Sequence, residues 1–460
     1  MTTAARAGPI TGFMQRNSRS RRRSSRWAYD PNVPDSFDLG PFTDTASFLR
    51  AQEGDAVDPL AHFRTRFVER DPALIYLDGN SLGRLPVDAS AVAQRVIESE
   101  WGDRLIRSWN ERWWDLAAEL GDLVAPIVGA APGEVLLSDS TTVNLYKLAG
   151  AALTARPDRK KIVTDDLNFP SDVYTLAGLA KSTGRELLIV ESDGVYGPVD
   201  GIISALDGDT ALLSLSSTVF KSGYTYDVEA ITAAAHAVGA LVVWDLSHSA
   251  GAVVVKLNEW NVDLAVGCTY KFLNGGPGAP AFLFVAAALQ SELRNPISGW
   301  WGEDDPFGFS LDFSPATDLR GFHVGTLPIL SLSTAEPGIA LVAEAGIAAV
   351  AEKGRALVAF VEAEYEDRLR PLGFGWASPL DPARRGAHAS LSHPDAWPIT
   401  QALIEIGQVI PDFRAPDNVR LGLSPLTTSF VEVATALERL ARIVESGLHR
   451  GYSTERNAVT

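Results

Sequence analysis

The stretch from Val262 to Pro280, V-D-L-A-V-G-C-T-Y-K-F-L-N-G-G-P-G-A-P, limits what this chain can become. Residues 263–269 predict a short buried strand. Tyr270 and Lys271 follow directly, Asn274 to Gly278 turn the chain, and a second apolar run fills Ala281–Val285. An ammonium between two apolar strands is costly to bury and favours losing its proton. A neutral amine so placed is a nucleophile toward carbonyls, as in Schiff-base lysines. A lysine snorkelling from a strand end fits the same stretch.

Upstream, L-V-V-W-D-L-S-H-S-A over Leu241–Ala250 ends a hydrophobic strand in Asp245, with His248 three residues on. Sheets of alternating strands and helices keep ligand sites where a strand meets a loop. A strand-end Asp is also an ordinary cap or turn residue. Asp245 precedes Lys271 by 26 residues. An Asp that pairs with a pyridine nitrogen, upstream of a Schiff-base Lys, is the constellation of a pyridoxal phosphate (PLP) enzyme.

Further segments carry a family resemblance. They are Y-L-D-G-N-S-L-G from Tyr76, W-G-D-R-L-I-R-S-W-N from Trp101, N-F-P-S-D from Asn168 and W-D-L-S-H-S-A-G-A-V from Trp244. G-C-T-Y-K-F-L-N-G-G-P-G-A-P-A-F from Gly267, S-G-W-W-G from Ser298 and G-T-L-P-I-L-S-L from Gly325 complete the set. Together they resemble the bacterial-type kynureninases, PLP enzymes of the aspartate-aminotransferase fold (fold type I), from Pro59 to Ser446.

The resemblance implies an α/β fold: a large domain with a mixed, mostly parallel sheet between helices, plus a smaller C-terminal α+β domain. The expected division is a basic tail over 1–30, an N-terminal segment over 31–85, a PLP-binding domain over 86–335 and a small domain over 336–460. It implies that Lys271 carries PLP, that Asp245 keeps the pyridine nitrogen protonated, and that Tyr270 touches the phosphate and shares proton transfer. Ser140 and Thr141 would hold the phosphate. Phe169 would stack on the ring within the Phe169-Pro170-Ser171-Asp172 motif, and His248 would orient Asp245 or the cofactor. Trp300 and Thr326 would reach the PLP of a second subunit, so a homodimer is implied. Arg420 would bind the substrate α-carboxylate, with Asn80 and Ser81 at the mouth of the site. The implied products are anthranilate, or its hydroxy analogue, and L-alanine. No metal is implied. Ser217, Val219 and Glu303 depart from residues common in relatives, which raises the expectation of an altered aryl pocket and a modified kynurenine as substrate.

Without the resemblance, several of these segments read more plainly. Ser138 to Thr142 would cap a helix, and its N-terminus would also suit an anion. Asn168 to Asp172 would be another cap, Asp78 to Gly83 a turn, and Arg420 a salt-bridged strand residue. Strands are expected at Ile75–Leu77, Val135–Leu137, Lys161–Thr164, Glu186–Val190, Thr210–Leu215, Leu241–Trp244, Ala265–Cys268 and Ala281–Val285. A helix over Val228–Val238 lies between two of them, the alternation of a sheet-centred α/β domain. Helices are expected over Asp44–Arg70 and Val87–Trp101, and an Ala-rich helical connector over Leu332–Leu369. Strands near Ala389–Ser392 and Val419–Gly422 follow.

Charge and cysteine usage exclude other classes. The chain carries −17 overall and +6 over residues 1–30, hence −23 beyond them, an acidic body that argues against nucleic acid as partner. The Ser/Arg-rich tail reads as a dispensable extension or a docking tail. It lacks the apolar core of a secretory signal but shares the composition of transit peptides. No apolar run approaches the ~20 residues that span a bilayer. The single cysteine, Cys268, rules out an internal disulfide and a cysteine metal cluster, and suits a cytoplasmic location. It also stands three residues before Lys271, poorly placed as the mobile nucleophile of a desulfurase, the first competing activity. A PLP-fold binding protein without turnover is the second. Intact Lys271, Asp245 and Arg420 argue against it.

Overall fold

The computed structural model describes residues 45–455; the expected basic tail lies outside them. In chain order the first elements are α1 (Thr45–Ala56), β1 (Ile75–Tyr76), α2 (Ala89–Arg95), α3 (Leu116–Val128), β2 (Val135–Leu137) and α4 (Thr141–Thr154). Then come β3 (Lys161–Asp165), α5 (Pro170–Thr183), β4 (Glu186–Val190), α6 (Val199–Ala205), β5 (Thr210–Ser216), α7 (Val228–Ala237) and β6 (Leu241–Asp245). Next are β7 (Leu264–Gly267), β8 (Phe282–Val285), α8 (Ala287–Gln290), α9 (Ile329–Ala345) and α10 (Ile347–Glu364). The last are β9 (Gly375–Trp376), β10 (His388–Ser392), α11 (Ala396–Glu405), β11 (Val409–Ile410), β12 (Asp412–Arg414), β13 (Asn418–Gly422) and α12 (Phe430–Glu445).

A seven-stranded sheet runs in the order β2-β8-β7-β6-β5-β3-β4. The neighbours from β4 through β7 pair in parallel, and β8 is antiparallel to both β7 and β2. The strands β5 to β8 are buried along their whole length, which explains continuous apolar runs such as L-V-V-W rather than alternation. Because β2 points the same way as the parallel strands, all of their C-terminal ends, and the N-terminal end of β8, meet along one edge. Ligand sites form on that edge.

A smaller antiparallel sheet, β12-β13-β10-β9, lies beyond the α9–α10 break. Among the described residues two large apolar cores form, beside a small cluster of Ala252, Phe272 and Ala387. One gathers the large sheet with α3, α4 and α9, and the other gathers α10 to α12 with the small sheet. The N-terminal stretch serves both: Leu60, Phe63 and Phe67 enter the first, Ile75 and Leu77 the second. β1 pairs in parallel with β11, matching Ile75 to Val409 and Tyr76 to Ile410.

Two expected helices differ from the outcome. The connector over Leu332–Leu369 is not continuous. It bends by 86° at Gly346, which takes φ +78°, a conformation that glycine reaches without a Cβ penalty. The helix over Val87–Trp101 keeps α-geometry only to Arg95 and continues as a wider π-type stretch, Val96–Arg104. No single described helix is long and apolar enough to cross a membrane.

Candidate active site

The edge of the large sheet opens into a cavity of about 740 Å³. Five strand ends of the sheet supply most of its polar groups. β2 is followed by Asp139, Ser140, Thr141 and Thr142, and β3 by Phe169, Ser171 and Asp172. β5 ends in Ser216, β6 in Asp245 with Ser247 and His248 after it, and β7 leads to Tyr270 and Lys271. Adjacent registers bring them together, since Ser216 pairs with Asp245 and Asp245 with Val266.

Lys271 lies at the centre of this arrangement. It is half-buried rather than sealed between strands, because the turn after β7 lifts it into the cavity. Its Nζ stands 2.9 Å from His248 Nε2 and 5.9 Å from the centroids of Phe169 and Tyr270. Burial, and then the neighbouring Lys271 charge, holds His248 well below the usual imidazole range. A neutral His248 accepts from Lys271 through Nε2 and keeps its own proton on Nδ1.

Asp245 is buried and accepts from the Ser247 backbone N–H at 2.8 Å. The carboxyl of Asp172 lies beside it, close enough for the two to share a hydrogen bond. Burial raises both groups above the ordinary carboxylate range, Asp172 further because the Asp245 charge adds to it, with Lys271 opposing. Two carboxyls in contact do not both ionise readily, so each holds its proton more tightly while the other is charged. Burial also raises the thiol of Cys268 and the phenol of Tyr270. A buried thiol held in its protonated form is a poor nucleophile.

At the other end of the cavity the N-terminus of α4 faces inward. Ser140 is its N-cap, with Oγ accepting from the Val143 backbone N–H. Thr142 Oγ1 lies 2.9 Å from Ser171 Oγ. A 14-residue helix with its first N–H groups toward a cavity is suited to an anion.

These residues fit PLP. The cavity has a hydroxyl-lined helix N-terminus for the phosphate and an aromatic wall, Phe169, for the ring. The buried carboxyls of Asp172 and Asp245 would give a ring nitrogen a partner, and Lys271 lines the same cavity. Asp172 Oδ2 and His248 Nδ1 are buried without a protein partner, which leaves polar capacity for such a group. Among the described residues no cluster suits a metal ion.

The remaining expected residues fall in two groups. Ser81 lines the cavity, and Asn80 and Arg420 stand behind it. Arg420, on β13, is fully buried. It pairs closely with Asp412, donates to the Phe220 carbonyl, and donates to Ser81 Oγ at 3.0 Å. Burial lowers it to about 10 despite Asp412. The Asn80 amide, with its oxygen turned toward Arg420, accepts from Nε at 2.9 Å and donates to Asp78 at 3.2 Å. Pro170 opens α5 and lies off the cavity wall. Trp300 and Thr326 are exposed and also lie off it. The three departures do not line it either. Val219 is core, Ser217 bonds to Ser249, and both Glu303 oxygens accept from the Ser314 backbone N–H, bracing a surface loop. Within a single chain none of the three reaches the cavity, and Glu303 shares its surface pocket with Trp300.

Sequence reading missed Asp139, Thr142, Ser216, Phe220 and Ser247 in the wall, and Asp412 behind it. The first two sat within the Ser138–Thr142 segment already singled out. For Asp412, 331 residues from Ser81, no local signal existed.

Comparison with known proteins adds to this geometry. The model of the family described as aminotransferase class-V matches residues 75–370, and that of the kynureninase C-terminal domain matches 350–440. A kynureninase of Pseudomonas fluorescens is 42% identical over 398 residues, covering 85% of this chain and 94% of the relative. A kynureninase of Burkholderia pseudomallei (strain K96243) is 42% identical over 399 residues, covering 85% and 94%. Among solved structures, a cysteine desulfurase from Thermococcus onnurineus superposes with a TM-score of 0.70 at 18% identity, covering 86% of this chain and 98% of that one. The cysteine desulfurase CsdA of Escherichia coli gives 0.71 at 16% identity, covering 85% and 99%. These likenesses establish the fold.

Proposed function

The chain belongs to the kynureninase family, and on that premise we propose that it hydrolyses L-kynurenine or 3-hydroxykynurenine, with PLP held in the Lys271 cavity. The products are L-alanine and anthranilate or 3-hydroxyanthranilate. The observation that carries this reading is one cavity in which Lys271 lies between an anion-binding helix N-terminus and a buried carboxyl pair. PLP, when bound, supplies an electron sink for the α-carbon of the substrate.

The side chains supply the rest. Ser140, Thr141 and Thr142 with the first N–H groups of α4 would hold the phosphate, and Phe169 would pack against the ring. Asp245 would be the partner of the ring nitrogen, with the Asp172 carboxyl beside it. Pro170 sets the start of α5 so that Ser171 and Asp172 turn inward. Lys271 carries the α-proton, and His248, neutral and 2.9 Å from its nitrogen, takes the hydrogen bond that orients it. Tyr270 is a proton donor at the same wall, since burial keeps its phenol protonated. Water adds across the bond between the substrate's β and γ carbons, its oxygen going to the γ-carbonyl carbon and a proton to the β carbon. Arg420 receives the α-carboxylate. It is one hydroxyl removed from the cavity, through Ser81, and exchanges that hydroxyl for a bidentate carboxylate, with Asn80 holding its Nε side.

We assign a homodimer and a cytoplasmic location. Exposed apolar side chains near Trp300, among them Phe307, Phe309 and Leu311, support a second copy docking there and presenting Trp300 and Thr326 to the neighbouring site. The single cysteine supports a reducing compartment.

The test is incubation of the PLP-loaded protein with each substrate separately, measuring alanine and the aromatic acid. Equimolar alanine and aromatic acid are expected. Absence of both products with both substrates would sink the assignment.

A further inference from the structure

Lys147 is a fully buried cation that the reaction does not use. It lies on the inner face of α4, two turns below the cavity, with its Nζ 2.7 Å from Asp139 Oδ2 and 2.9 Å from the Phe322 carbonyl. Ser138 Oγ also donates to Asp139 Oδ2, at 2.8 Å. Asp139 is the residue just before the α4 N-cap. Its backbone takes φ +48°, an uncommon conformation for a side chain with a Cβ, and its carbonyl accepts from the Ala281 backbone N–H at 2.9 Å. The carboxylate is partly open to the cavity, beside the N–H groups that suit an anion.

A carboxylate in that position opposes a phosphate. Left alone it would compete for the same N–H groups and repel a dianion across a few ångströms of low-dielectric protein. Burial works against the charges of both partners. At Asp139 burial is the largest single influence, but the Lys147 charge, the hydrogen bonds from Lys147 and Ser138 and the nearby His323 together hold the carboxyl below the ordinary carboxylate range. The pair therefore binds Asp139 backward, toward the helix interior, and leaves the helix N-terminus free.

We propose that Lys147 is a positioning residue for the phosphate of the cofactor. It neutralises and holds back Asp139 so that the α4 N-terminus accepts a dianion. Its bond to the Phe322 carbonyl fixes the same unit to the segment leading to Thr326, so the anion pole and that surface segment share one anchor. This rests on the PLP reading above.

The test compares the full-length wild type with Lys147→Met and with the double variant Lys147→Met/Asp139→Asn. Equilibrium dialysis gives the affinity for PLP. For pyridoxal, which lacks the phosphate, borohydride trapping on Lys271 is read by mass spectrometry. Lys147→Met is expected to weaken PLP binding by about tenfold or more while leaving pyridoxal trapping unchanged, because only the phosphate meets the unpaired carboxylate. The double variant, having lost both charges, is expected to return to within about threefold of wild type. Equal losses for PLP and pyridoxal would overturn the proposal in favour of a purely structural lysine. So would a single variant that binds PLP as wild type does, or a double variant no better than the single. A wild type that binds neither compound would instead sink the PLP reading itself.

Discussion

The Lys271 nitrogen lies beside one neutral imidazole and a buried carboxyl pair, and the buried groups around this site have separable consequences. Lys271→Ala should lower kcat by about a thousandfold or more and abolish borohydride trapping of PLP on the chain. Residual turnover near wild type would remove Lys271 from the chemistry. His323, buried behind Lys147, is lowered to about 3 by burial and by the Lys147 charge. Its folded value lies below its unfolded one, so the unfolded chain binds the proton more tightly, and stability falls as pH drops below about 6.5. A His323→Gln variant should therefore lose roughly 2–3 kcal/mol less than wild type between about pH 6.5 and 4.5, read by urea unfolding. Parallel losses in the two proteins would contradict a buried neutral His323. Lys271, Asp245 and His248 were legible because each sits in a short window next to an apolar strand. Asn80 and Ser81 were legible beside Arg420 only through the resemblance, and its partners Phe220 and Asp412 were not, since only the fold collects them.

Strands were more legible than helices, for a physical reason. The central strands are buried on both faces and leave short, purely apolar runs bounded by polar turn residues. Ala-rich helical stretches carry no mark of where they bend, so Gly346 did not stand out within Leu332–Leu369. Turn residues did announce function: Gly83, in the Y-L-D-G-N-S-L-G segment, donates to the Tyr270 carbonyl at 2.8 Å. A Cβ on Gly83 would run into the Lys271 carbonyl and Asn274. Gly83→Ala should then displace the turn that carries Lys271, lowering kcat while leaving the far-UV circular dichroism and the unfolding midpoint near wild type. An unchanged kcat would show that the turn yields without moving the amine. At the other end of the chain, Ser429 and Glu432 form a reciprocal cap on α12. Ser429→Ala should destabilise by about 1 kcal/mol without changing cofactor affinity.

For the whole molecule, resemblance named the fold and the sheet edge collected the site, but the outer surface could not be read from patterning. An exposed Trp300, at 43% accessibility, and a fully exposed Leu311 look like any loop in the sequence. Sedimentation equilibrium should give twice the 49.3 kDa chain mass. Trp300→Ala should shift that equilibrium toward the single chain and lower activity at low protein concentration; a monomer with full activity would exclude the shared site. The β1–β11 pairing has a consequence for how the protein is made. A ribosome must synthesise Ile410 before Tyr76 has a strand to pair with, 334 residues after Tyr76 itself has emerged. The large sheet can assemble while translation continues, whereas the early segment bearing Asn80 and Ser81 waits, unpaired, for the last quarter of the message. Its exposure to chaperones and proteases is therefore set by the speed of elongation.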